Sequence, residues 1–200
     1  MSTPRVVALG GGHGLSASLQ ALRHITEAIT AVVTVADDGG SSGRLRQEFD
    51  ILPPGDLRMA LAALCEDTAW GHQWSAVLQH RLGGRGELAG HALGNLLILG
   101  LWDLLGDPVR GLDLVGRLVN TRGRVLPMSL LPLDIEADVA GLDPDDPREL
   151  TVVRGQSNVA RTPGRVVSVR LLPEDPPSCP EALEAVKLAD WVILGPGSWF

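Results

Sequence analysis

A chain of 200 residues with 44% hydrophobic and 20% charged residues has enough apolar material for one packed domain, which excludes a disordered or fibrous chain. Its formal net charge of −7 gives no general attraction for nucleic acid or anionic lipid, so a phosphate ligand has to be held by a local site. Cys65 and Cys179 match no metal-binding spacing and read as free thiols of a reducing compartment, which excludes a disulfide-stapled fold.

Residues 5–9 (RVVAL) read as a strand, and Leu15, Leu19, Leu22 and Ile25 then recur at helical spacing. The run 29–36 (ITAVVTVA) reads as a second strand, bounded by DDGGSSG. Together these segments predict a βαβ unit of a parallel sheet with its carboxyl edge near Gly10 and Asp37. A helix is predicted over 57–66 with Asp56 as N-cap, a helical region around Trp70 and Trp74, and a further helix over 87–105. From 120 to 172 short runs separated by Pro, Asp and Gly predict an antiparallel strand-rich insertion, with DPDDP at 143–147 as a surface turn. Residues 180–190 return to helical spacing, and WVIL at 191–194 reads as a buried strand ending at GPGS.

No repeat or low-complexity linker divides the chain, so a single α/β domain is expected. The leading apolar run stops at GGGHG and is too short for a signal peptide. The most apolar stretch, 92–105, carries Asn95 and Asp103 and falls short of the roughly 20 residues of a membrane span. A cytoplasmic protein without membrane insertion is expected.

Five motifs carry chemistry. GGGHGLSA at 10–17 places Gly12, Gly14 and Ala17 in G-x-G-x-x-A spacing between a strand and a helix. Backbone N–H groups at such a helix start favour a phosphate, by up to about 2 kcal/mol from the dipole. That makes Gly11, Gly12, His13 and Gly14 candidate contacts, although a tight turn alone satisfies the same pattern. DDGGSSGRLR at 37–46 sets Asp37 and Asp38 at a strand end, either as ribose acceptors or as hard oxygen ligands for magnesium bound to phosphates. Gly40, Ser41, Ser42 and Arg44 are candidates for holding the phosphate itself. In PPGDLR at 53–58, Asp56 as an N-cap is worth about 1 kcal/mol. GHALGN at 90–95 puts His91 and Asn95 at i and i+4 on an apolar helix face, where buried polar groups call for a ligand or a shared contact. GPGS at 195–198 is a second glycine loop after a strand, with Gly195, Gly197 and Ser198 as phosphate or sugar contacts.

In this order, GGGHGLS, TVADDGGSSGRLR, PPGDLR, GHALGNLL and ADWVILGPGSWF resemble the gluconeogenesis factor family, the YvcK-like branch of the CofD-like proteins. The resemblance implies a Rossmann-like three-layer fold and binding of UDP-sugars such as UDP-N-acetylglucosamine. It also implies a regulatory role in carbon metabolism and cell-wall morphogenesis, with no catalysis required. The related 2-phospho-L-lactate transferase branch implies a metal-dependent phosphotransferase instead, and carries magnesium onto Asp38 and Asp56. His13 replaces the Thr of the family's GGGTG loop and Met59 follows PPGDLR where Asn is common, which changes the hydrogen bonds expected there. Family members continue beyond GPGS, so apolar surface is expected around Trp191, Trp199 and Phe200. A nicotinamide dehydrogenase has only G-x-G-x-x-A and an acid in its favour. The partners expected are small phosphate-containing molecules, with the oligomeric state, a homodimer included, left open.

Overall fold

A computed structural model describes residues 3–196. The β-branched Val6 and Val7 point to opposite faces of a sheet and both are buried, which makes their strand a central one. This strand, β1 (Val6–Gly10), leads through α1 (Gly12–Leu22) into β2 (Ile29–Val33). Five helices follow: α2 (Gly40–Phe49), α3 (Pro54–Leu64), α4 (Ala69–Gln79), α5 (Leu93–Leu105) and α6 (Pro108–Val119). Next come β3 (Arg124–Pro127), β4 (Asp134–Ala140), β5 (Leu150–Arg154), the short α7 (Gln156–Val159) and β6 (Arg165–Leu172), then α8 (Pro180–Leu188) and β7 (Trp191–Leu194).

The fold is α/β, with a parallel four-stranded sheet in the order β3-β2-β1-β7 and a separate antiparallel sheet in the order β5-β4-β6. On one face of the parallel sheet Ala8, Ala31 and Val33 meet Leu15 and Leu19 of α1 and Leu57, Leu61 and Leu64 of α3. On the other face Val7, Val32 and Leu126 meet Cys179 and Ala182 at the start of α8. Each fully buried leucine contributes about 1.5–3 kcal/mol, so these layers fix the sheet firmly. The chain spreads from β1 through β2 to β3 on one side and returns as β7 on the other. Strand order therefore reverses between β1 and β7, which in an open parallel sheet opens a crevice at the carboxyl ends.

Four expectations change. The helix expected over 57–66 starts at Pro54, with Pro53 as its N-cap and Asp56 inside its first turn, because proline is favoured where no N–H partner is needed. The helix expected over 87–105 is helical only from Leu93, since Gly90 takes φ +77 and the segment before it turns. A helix absent from the sequence reading, α6, opens at Pro108 behind Asp107, whose carboxylate accepts the N–H groups of Val109 and Arg110 at 3.0 Å. It buries Val109, Leu112, Val115 and Val119 along one stripe. Finally, β3 pairs with β2 in the parallel sheet, so the antiparallel insertion begins at Asp134 instead of residue 120. Its core is its own, made of Ala137, Val139 and Val159.

Among the described residues no helix is long and apolar enough to cross a membrane. The strand at 191–194, expected to be buried, forms β7 with Trp191, Val192 and Leu194 exposed, in line with the apolar surface expected around Trp191, whereas Trp199 and Phe200 lie outside the described residues.

Candidate ligand site at the carboxyl edge of the parallel sheet

Three helices start around the carboxyl ends of β1 and β2. Their N-caps are Gly11, Gly39 and Pro53, none of which gives a side-chain hydrogen bond to its helix. Uncapped starts leave backbone N–H groups and positive dipole ends for other partners. Two glycines permit the close approach. A Cβ on Gly11 would overlap Thr34 Oγ1 and Asp56 Oδ2, and one on Gly14 would overlap the carbonyl of Pro196, so the loops after β1 and β7 touch at the point where strand order reverses.

Asp56 fills the space above Gly11. It accepts the N–H of Gly12 and lies 3.5 Å from Thr34 Oγ1. Burial first, and then the charge of Asp37, hold its carboxyl above the ordinary range. Asp37 Oδ1 accepts the N–H of Gly39 at 3.0 Å, and its other oxygen faces Gly55 at the start of α3. A cation would relieve the repulsion that the charge of Asp37 exerts on the Asp56 carboxylate. Magnesium suits this oxygen set, because it uses one or two protein carboxylates and fills its shell with water and phosphate oxygens. Among the described residues no three His, Cys, Asp or Glu side chains are grouped to hold an ion unaided, so ligand oxygens would complete such a site.

Asp38 turns the other way, and its Oδ1 accepts the N–H of Ser157 at 2.9 Å. The carboxylate facing Asp56 is therefore that of Asp37, where the resemblance had pointed to Asp38. Successive side chains of an extended segment project to opposite sides, so only one of two adjacent aspartates can face the crevice.

The sign of the Asp56 shift gives a prediction. A folded-state pKa above the ordinary 3.8 means that the native protein holds this proton more tightly than the unfolded chain, so stability falls as pH rises from 3.8 through the raised value. Asp56→Asn removes the charge while keeping an oxygen for the Gly12 N–H. It is expected to stabilise the protein at pH 7 by roughly 0.5–2 kcal/mol, the usual gain from relieving a functional site. The parent, but not the variant, is expected to be stabilised by magnesium in thermal melts. A melting temperature lowered equally at pH 4 and pH 7 would make Asp56 a purely structural group.

The remaining polar motif residues meet in a buried chain. Arg58 Nε donates to Asn95 Oδ1 at 2.9 Å and its Nη1 donates to Gln79 Oε1. With its oxygen so engaged, Asn95 turns Nδ2 to Ser41 Oγ at 3.0 Å. Ser41 Oγ lies 2.9 Å from His91 Nδ1, within hydrogen-bond distance, and also accepts from Asn95. Burial, then the nearby Arg44, push the His91 pKa down, which agrees with a neutral ring. Ser42 Oγ accepts the N–H of Gly55 at 3.0 Å, and Arg44 donates to the carbonyls of Glu87 and Ala89 at 3.2 and 2.8 Å.

Ser41, Ser42, Arg44, His91 and Asn95 are thus brought together, as a frame that positions α2, α3 and the turn before α5. Their hydrogen bonds run within the protein. His13 and Gly40 are exposed at the rim, and the Gly195 N–H donates to the Leu9 carbonyl at 3.1 Å. Gly197 and Ser198 lie outside the described residues. Thr34, Gln79 and Ser157 were missed because single polar residues carry no motif. Arg58 was visible in PPGDLR, but its partners lie 21 and 37 residues further along the chain.

A family model described as 2-phospho-L-lactate transferase CofD matches residues 6–200. The chain belongs to the CofD family. A Mycobacterium tuberculosis (H37Rv) relative named "Putative gluconeogenesis factor" is 60% identical over 198 residues, which cover 99% of this chain and 58% of the relative. The gluconeogenesis factor of Bacillus subtilis is 39% identical over 197 residues, covering 98% of this chain and 59% of its own. A crystal structure of a Bacillus halodurans protein is similar with a TM-score of 0.87 and 41% identity, covering 98% of this chain and 60% of that one. This CofD-family chain therefore spans less than two thirds of the length of the relatives it matches.

Proposed function

We propose that this CofD-family chain carries the ligand site of a gluconeogenesis factor, a cytoplasmic regulator of carbon metabolism and cell-wall morphogenesis that binds UDP-sugars such as UDP-N-acetylglucosamine. The observation that carries this reading is the meeting of uncapped helix starts, the Gly11–Gly14 loop and the Asp37–Asp56 pair at the reversal of strand order. The diphosphate would be received by the glycine loop and the start of α2, and Asp37 and Asp56 would hold a magnesium that neutralises its charge. Ser41, Ser42 and Arg44 then act as the frame behind the site, in place of the direct phosphate contacts expected from the motif. Ligand binding shifts a population of states, with no turnover.

Titration calorimetry with UDP-N-acetylglucosamine, with and without magnesium and with NAD as comparison, tests this directly. Saturable binding of the UDP-sugar, tightened by magnesium and absent for NAD, is the expected result. No binding by the folded chain, nor by one extended to the relatives' length, overturns the reading. The carboxylate pair also favours a second reading, a magnesium-dependent transferase of phosphorus-containing groups. Phosphorus NMR separates the two, since the diphosphate stays intact under the first reading and is cleaved under the second.

A further inference from the structure

The inserted sheet of β4, β5 and β6 shares no fully buried residue with the main core. What joins it to the candidate site is polar. Asp38 Oδ1 accepts the Ser157 N–H at 2.9 Å, and a Cβ on Gly155, which has φ +90, would overlap the other oxygen of Asp38. Arg46 makes a second clamp, donating from Nη2 to Asp134 Oδ1 at 2.9 Å and from Nη1 to the Asp37 carbonyl at 3.4 Å. Behind the two clamps runs a cleft of about 430 Å3, lined by Asp38, Arg46, Asp50, Asp134, Arg154 and Gly155. Apart from Ile135 of β4, a half-buried side chain that packs against both cores, the insertion is held by these polar bonds across the cleft, and such a unit can open while the parallel sheet stays intact.

We infer that Asp38 is a positioning residue, whose carboxylate latches the inserted sheet onto the loop that carries Asp37, so that latching and ligand binding at Asp37 and Asp56 favour each other. The coupling half rests on the ligand reading above; the latch half stands without it. The geometry behind it is simple. Asp37 and Asp38 are adjacent, one turned to the crevice and the other to the insertion, so the loop cannot shift for one without moving the other. Arg46 adds to this by bonding the Asp37 carbonyl and the first residue of β4 at once. Linkage requires that whatever steadies Asp37 also steadies the insertion, and the reverse.

Hydrogen exchange at the Ser157 amide reads the latch, because that N–H is the group Asp38 accepts. Asp38→Ala is expected to speed its exchange, and that of β4 to β6, by about tenfold or more, the range for losing a charge-assisted hydrogen bond. Amides of β1 and β2 are expected to be unchanged, which separates a freed insertion from general unfolding. Asp38→Asn keeps an acceptor without the charge and is expected to exchange at a rate between those of the parent and Asp38→Ala. An unchanged Ser157 amide in Asp38→Ala, or an Asn variant as open as the Ala variant, overturns the latch. For the coupling, magnesium with UDP-N-acetylglucosamine is expected to slow exchange of the insertion in the parent and to bind Asp38→Ala more weakly. Equal affinity for parent and Asp38→Ala overturns the coupling and leaves the latch. Absence of binding to the parent overturns the ligand reading, with the latch judged by exchange alone.

Discussion

Replacing Arg58 by methionine is expected to lower the melting temperature by roughly 2–12 °C. The side chain is 4% exposed, and its stem lies under Gly94, where a Cβ would come within 2.9 Å of Arg58 Cγ and Cδ. Methionine keeps much of that stem and removes the guanidinium. Asn95 Oδ1 then loses its donor inside the protein, at about 1–3 kcal/mol for an unsatisfied buried group, whereas the exposed Gln79 turns its oxygen to water. Asp37 and Asp56 also lose a nearby positive charge. Against these losses stands relief of the buried charge, since burial, and next Arg81, push the Arg58 pKa down to about 10. That group is still charged at neutral pH, and its relief does not replace the missing donor to Asn95. A 200-residue domain moves about 2–4 °C per kcal/mol, which gives the range above. Calorimetry checks it, and a shift below about 2 °C would mean that Asn95 finds another donor.

Gly14→Ala is expected to weaken UDP-sugar binding on the order of a hundredfold while the fold survives. The substitution lies inside α1, where alanine gains about 1 kcal/mol of helix propensity. Its Cβ would overlap the Pro196 carbonyl, a backbone atom that cannot rotate away. Overpacking of this kind costs about 1–3 kcal/mol, so the net change in stability is small. The effect falls on geometry. The loops after β1 and β7 must separate, and a displacement near 1 Å at a positioned site is worth about a hundredfold. A dissociation constant within about threefold of the parent would remove the crevice between β1 and β7 from the ligand site.

Much of this architecture was legible in the sequence, for reasons that differ by element. The β1–α1–β2 unit and β7 were readable because apolar runs of strand length stop at glycines, and that pattern has few other solutions. The start of α6 carries a clear signal, Asp-Pro, but its apolar positions are spaced among Arg110, Asp113 and Arg117, so no continuous apolar run marks it as 92–105 is marked. The strand β3 reads like the strands after it, since four residues of RVLP do not say which sheet they join. In the site, the glycine loop was legible and the roles of the polar residues were not. Whether Asp37 or Asp38 faces inward depends on where the extended segment after β2 begins to bend. Ser41 and His91 looked like ligand contacts because their partners, each other and Asn95, lie 50 and 54 residues away.

The helix α3 is buried at nine of its eleven residues, and Asp56 is one of the two that are not fully buried. A carboxylate mounted on so enclosed a helix has almost no freedom left to lose when a ligand arrives. The entropy of ordering on the protein side is therefore paid at folding, and what remains is the ordering of the ligand and of the rim around His13 and Gly40. Such a site discriminates by shape that exists beforehand, and under the reading proposed above its affinity would be set by how well a diphosphate fits a rigid cradle.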